Sequence, residues 1–159
     1  MNMDGEKMEK KLSEMSLEEL WKLFPIYLTE YRPDWKEWYR EEEIFLKSRV
    51  PEIERISHIG STAIGSICAK PIIDILMEIS KDYKLSDYKK LIVESGYICM
   101  SEASDRISFN KGYTEKGFAE RVFHLHLRYI GDHDELYFRD YLMEHTNLAM
   151  EYEKMKLKL

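Results

Sequence analysis

The chain has 159 residues, 44% hydrophobic and 13% aromatic, with 30 acids against 24 Lys and Arg for a net charge of −6. That length fits one domain with a real core, the apolar content argues against disorder away from the ends, and the acidic balance argues against an extended nucleic-acid surface, which needs a basic face. No apolar run approaches the roughly 20 residues that span a bilayer, and Met3, Asp4, Glu6 and Lys7 carry no signal-peptide core, so no membrane association is expected and the expected location is cytoplasmic.

Residues 1–12 are polar, and a flexible end is expected there. Ser16 with Glu19 predicts a helix opened by a capping box, striped by Leu17, Leu20, Trp21 and Phe24 and ended by Pro25. Residues 26–31 predict a short strand or extended segment, closed by the break at Arg32-Pro33. Asp34 and Glu37 predict a second capping box, heading a helix that runs to about Arg49. Its Trp35, Trp38, Tyr39, Phe45 and Leu46 turn to the core, and its acidic run Glu41-Glu42-Glu43 is expected on a solvated face.

Residues 53–59 alternate as a strand does. Gly60 to Lys70 is turn-rich, with room for one short helical turn. Residues 72–79 predict the most buried strand, because their apolar run is nearly continuous. A surface helix is expected over 86–95 with Gly96 as its C-cap, then a strand over 97–100. Two strands, 106–111 and 119–130, are expected around a turn at Gly112 and Gly117, and a helical tail over 134–157 breaks near Thr146-Asn147. This order predicts an α+β domain over 1–159, a mixed central sheet packed by helices. Cys68 and Cys99 match neither a disulfide framework nor a zinc pattern, and buried thiols are expected.

Three features could carry chemistry. Asp74 puts a carboxylate in the middle of the apolar strand, where a charge is costly unless paired with a metal, a base or a donor. Glu78 shares its strand face but stands roughly 13 Å along, at about 3.3 Å per residue, too far to share one ion. The position two after Asp74, where a second carboxylate would complete a two-metal pair, is Leu76. The second feature is His124-Leu125-His126-Leu127-Arg128, which turns both imidazoles and Arg128 to one strand face. Such imidazoles can converge on one ion or phosphate, or be structural, hydrogen-bonded to neighbours. The third is the turn Gly60-Ser61-Thr62, which can present backbone N–H groups to a phosphate or be an ordinary turn; no P-loop lysine follows it. Lys70, Arg106 and Arg128 are candidate phosphate partners, with solvated or structural roles as the alternative. Arg139 and Asp140 are expected as ion-pair partners, although Arg139 could reach an anion.

His58-Ile59-Gly60-Ser61-Thr62, Ala69-Lys70-Pro71-Ile72-Ile73-Asp74-Ile75, His124-Leu125-His126 and Phe138-Arg139-Asp140-Tyr141-Leu142 together resemble the GrpB family over about residues 26–158. The resemblance implies a fold similar to the nucleotidyltransferases of the DNA polymerase beta type. It implies that Gly60 and Ser61 hold nucleotide phosphates and that Asp74 is the first acid of a metal-binding pair. Leu76 departs from the second acid, and Ile64-Gly65-Ser66 departs from the family's Val-Pro-Gly. Relatives fused to dephospho-coenzyme A kinase imply a nucleotide or coenzyme A-related ligand.

Two readings follow. In the first, the protein is a nucleotidyl or phosphoryl transferase. Asp74, His124 and His126 are catalytic and hold a divalent metal (Mg or Mn, with Zn suited to the imidazoles), and Gly60, Ser61, Thr62, Lys70, Arg106 and Arg128 bind phosphate. In the second, the incomplete carboxylate set leaves a binding or regulatory module without turnover. A metal-dependent hydrolase using Asp74, His124 and His126 is a third option. The acceptor and the oligomeric state are not written in the sequence.

Overall fold

The computed structural model describes residues 11, 14–23, 28–65 and 67–158. The first helix, α1 (Leu17–Leu23), opens on the expected capping box. Glu19 N–H donates to Ser16 Oγ at 3.1 Å and Ser16 N–H to Glu19 Oε1 at 3.0 Å. The side chains of Leu17, Leu20 and Trp21 lie outside the described residues, as do most of 1–12, Phe24, Pro25 and the start of the 26–31 segment. That segment ends in a single bridge between Thr29 and Ala69.

Helix α2 (Asp34–Arg49) has the expected span but not the expected cap. Pro33 stands at the N-cap and no side chain caps it. Asp34 is drawn instead into an ion pair with Arg32 at 2.8 Å, and Glu37 faces Arg40. The acidic run is also not uniformly solvated. Glu42 is buried, accepting from Tyr97 Oη at 2.7 Å and from Lys111 Nζ at 2.6 Å. Helical spacing carries it round to the sheet side, and the Lys111 charge compensates the burial.

Five strands form one sheet in the order β1 (Ile53–Ile59), β2 (Ile73–Ile79), β5 (Gly117–Tyr129), β4 (Arg106–Thr114), β3 (Ile98–Glu102). Only β2 and β5 run parallel. The chain reaches β5 from β2 through a 3₁₀ turn, α4 (Lys89–Glu94), β3 and β4. Between β1 and β2 lies the single helical turn α3 (Ser61–Ile64). Two helices close the chain, α5 (Asp134–Glu144) and α6 (Thr146–Lys158), broken at His145. The result is the expected α+β mixed sheet.

One sheet face makes the main core. Ile73, Ile75, Met77 and Ile79 of β2 pack with Phe123, Leu125 and Leu127 of β5 under Trp35, Trp38 and Leu46 of α2. The opposite face is covered at one end, where Ile59 and Leu76 meet Leu136 of α5. Gly112 is not the expected turn. It makes a bulge inside β4, at φ +101°, and the hairpin turns at Glu115-Lys116. Its Cα lies so close to Arg121 O that an added Cβ would stand 2.5 Å away. Both cysteines are partly exposed rather than buried as expected. Among the described residues no helix is long and apolar enough to cross a membrane.

Candidate functional site

The parallel pairing of β2 with β5 sets Asp74 against His124, Leu76 against His126 and Glu78 against Arg128. Neighbouring β4 adds Asn110 beside His124 and Ser108 beside His126. Period-2 alternation thus gathers the polar residues of three strands on the face opposite the main core. His124 Nδ1 and His126 Nε2 each stand 3.7 Å from Asp74 Oδ1. One ion can bridge donors up to about 4 Å apart, twice a 2.0–2.2 Å bond. Yet among the described residues no three His, Cys, Asp or Glu form a group able to hold a metal. The trio is two pairs sharing one carboxylate, not a closed cage.

Asp74 is 30% exposed in its side chain, so it is less buried than the strand pattern predicts. The fully buried carboxylate of β2 is Glu78. Its Oε1 accepts from Gly131 N–H at 2.9 Å and lies 2.8 Å from His133 Nδ1, while Arg55 Nε is 3.9 Å from Oε2. The polar end of α5 therefore docks on Glu78, while Asp74 opens to solvent.

Gly60 sits against Asp74. A Cβ there would meet Asp74 Oδ2 at 2.6 Å, and φ +76° with ψ −174° is backbone that only glycine adopts readily. Ser61 begins α3 and is partly exposed beside it. Thr62 instead points inward at 1% exposure. Its hydroxyl donates to Ile72 O at 3.2 Å and lies 2.9 Å from His58 Nε2, which with that proton spent acts as the donor. Thr62 holds the turn to the next strand, its hydroxyl buried rather than open beside Asp74. His58 stacks on Tyr39 with ring centroids 4.8 Å apart, and Arg139 donates to its carbonyl at 2.9 Å.

Burial pushes the His58 imidazole down to about 4, against the pull of Asp74 and with help from Arg139 and Lys36. The folded protein therefore holds His58 neutral while the unfolded chain protonates it near 6.5. The stabilisation is complete above pH 6.5 and is lost as pH falls through 4, by about 1.4 kcal/mol per pH unit in that window. Urea unfolding at pH 7 and pH 5 is expected to differ by about 2 kcal/mol from this group, and His58→Gln is expected to flatten that slope. An unchanged slope would place the proton uptake elsewhere.

His124 is also pushed below the ordinary imidazole range by burial, and His126 and Lys70 add to the effect, while Asp74 opposes it. It is neutral at pH 7 and can ligate or accept a proton. Its Nε2 is 2.8 Å from Tyr113 Oη, and the two rings stack at 5.8 Å. Tyr113 orients the imidazole so that Nδ1 faces Asp74. The sequence hides this partner. By simple alternation Tyr113 shares the core face with Phe109, and only the extra residue at Gly112 turns it over to His124.

Lys70 is exposed and near enough to act on the His124 charge. Arg106 and Arg128 stand elsewhere. Both belong to the register of Glu78, roughly 13 Å along the strand from Asp74 at about 3.3 Å per residue. Arg106 pairs with Asp132 at 3.1 Å, and Arg128, nearly buried, pairs with Glu135 at 2.9 Å. They anchor α5 to the sheet. Arg139 and Asp140 pair as expected, at 2.8 Å.

This sheet recurs among solved structures of nucleotide-transferring enzymes. The Cid1 poly(U) polymerase in its MgGTP-bound form overlays with a TM-score of 0.57, covering 80% of this chain and 42% of that one. A cytoplasmic RNA terminal U-transferase gives 0.55, covering 80% and 40%. Identity is 12% in both, so the likeness is of fold: a nucleotidyltransferase-like sheet with its helices.

The chain belongs to the GrpB family, described as GrpB protein and matched over residues 25–159. The conserved protein GrpB from Enterococcus faecalis is 32% identical with a TM-score of 0.71, covering 83% of this chain and 81% of that one. UPF0157 protein YqkA of Bacillus subtilis (strain 168) is 37% identical over 133 residues, 81% of this chain but 38% of the relative, whose length this chain spans by well under half. Glutamate-rich protein GrpB of Alkalihalophilus pseudofirmus is 32% identical over 141 residues, 84% of this chain and 80% of that one.

Proposed function

We propose that the protein binds a nucleotide or related phosphate-bearing ligand together with a divalent metal in the groove between Gly60 and His126, and transfers a nucleotidyl or phosphoryl group from it. The observation that carries this reading is the convergence of two imidazole nitrogens on one Asp74 oxygen beside the Gly60 turn. Asp74 is the protein's carboxylate anchor for the metal, with His124 or His126 completing a pair. Because no closed protein cage exists among the described residues, the remaining positions fall to ligand phosphate oxygens, the way Mg²⁺ and Mn²⁺ are commonly held. Bound there, the metal would supply charge neutralisation for the phosphates. Gly60 and Ser61 offer backbone to the phosphates, Lys70 adds an exposed positive charge, and His124, its imidazole neutral at pH 7, or His126 is placed to take the acceptor's proton.

One observation favours a module that binds without turnover. Leu76, at the place of a second carboxylate, is fully buried against Ile59 and Leu136, so that position adds no oxygen ligand beside Asp74. Titration calorimetry with the four nucleoside triphosphates and coenzyme A in Mn²⁺ or Mg²⁺, paired with assays for released pyrophosphate and nucleoside diphosphate, separates the two. Metal-dependent binding with release of pyrophosphate supports nucleotidyl transfer, release of the diphosphate supports phosphoryl transfer, and binding with neither product supports the module. Neither binding nor release with any of them removes the proposal.

A further inference from the structure

A concavity lies between α2, β1, α3 and α5. It has a volume of ≈ 260 Å³ and is lined by Lys36, Tyr39, Arg40, His58, Arg139 and Met143, with Glu43 and Ala63 completing the rim. It shares none of these residues with the Asp74, His124 and His126 groove.

Its charge is unbalanced. Lys36 makes no ion pair among the described residues, and its Nζ lies beside the bare backbone of Gly65. Arg40 has only a long contact, 3.8 Å, to Glu37, with both side chains mostly exposed. The carboxylate on the rim, Glu43, is already engaged by Lys47 at 2.7 Å and by the Tyr39 hydroxyl. Arg139 is held in place by the His58 carbonyl and Asp140, so its guanidinium is preorganised at one wall. Three cations thus converge from two helices on one small hollow, in a protein whose net charge is −6. Concave walls focus such a field, and a compact oxyanion with several acceptors satisfies donors that approach from different sides.

We propose that this hollow is a separate binding site for a small phosphate-bearing anion, held by Lys36, Arg40 and Arg139. The volume suits a phosphate group and a small appendage, and Met143 with the flat Tyr39–His58 stack offers the appendage an apolar wall. Two hydrogen bonds run from this hollow toward the first site. Arg139 grips the strand at His58, and His58 holds Thr62 in the turn that begins at Gly60.

Calorimetry with inorganic phosphate, at constant ionic strength, tests the site on the whole protein. The double variant Lys36→Ala/Arg40→Ala removes two exposed side chains, so its folding is not at stake, and it is expected to weaken phosphate binding by about tenfold or more. Asp74→Asn is expected to leave phosphate affinity unchanged, which distinguishes this hollow from the groove. Methyl NMR is expected to show the Met143 signal shifting on titration. An equal affinity in the double variant, a loss of affinity in Asp74→Asn, a still Met143 signal, or equal binding of malonate would each overturn the proposal.

Discussion

Gly60→Ala is expected to unfold more readily than the wild type and to lose ligand and metal binding together. The backbone at φ +76° and ψ −174° belongs to a region that a side chain enters at a cost of about 1–3 kcal/mol. The new Cβ adds a second cost. It would stand 2.6 Å from Asp74 Oδ2 and 3.2 Å from both Asp74 Cβ and Cγ. The carboxylate tip can rotate away, but the Cβ belongs to the central strand and cannot move far. Asp74 must therefore turn from its two imidazoles, or the turn must lift off the strand. A fall in melting temperature of about 4–8 °C is expected, from about 2 kcal/mol in a domain of this size. Thermal melts with and without Mn²⁺ and nucleotide read both effects. A variant that melts as the wild type does, and still gains stability from ligand, would show that the close approach of Gly60 to Asp74 carries no function.

Asp74→Asn is expected to do the reverse, leaving the fold intact and abolishing the proposed metal binding. The side chain is partly exposed and keeps its shape, so its burial is undisturbed. Its charge is what an ion needs. Metal-dependent nucleotide affinity is expected to fall by about 100-fold, near 3 kcal/mol. A second readout does not depend on metal. The Asp74 charge raises the His124 proton affinity against burial, so its removal is expected to lower the His124 titration midpoint further. NMR of the imidazole protons measures it. Unchanged metal-dependent affinity would sink the anchor role, and an unmoved His124 midpoint would sink the electrostatic coupling between the two side chains.

Much of this was legible in the residues, and the exceptions have a common cause. The capping box at Ser16 and Glu19 could be read because it is closed within three residues. The similar pair Asp34 and Glu37 failed because Arg32 and Arg40 offered those carboxylates full charges nearby. Glu42 looked like one of three solvated acids until Lys111, 69 residues away, arrived on the neighbouring strand. Arg128 was read on the face of His124 and His126, and does share it, yet Glu135 and Asp132 on and before α5 claim it. Which of two carboxylates on β2 is buried was also undecided locally, since Asp74 and Glu78 share a face and differ only in whether α5 covers them.

The amino-acid order alone determined the element types, the α+β class and the alternation that puts Asp74, His124 and His126 on polar strand faces, because each follows from a period of a few residues. Only the tertiary structure decided that β2 and β5 are parallel neighbours in the register that sets Asp74 against His124, that the bulge at Gly112 delivers Tyr113 to that imidazole, and that α5 seals Glu78 while leaving Asp74 open. Those are pairings between segments tens of residues apart. Their energies come from contacts that no local window of the chain contains.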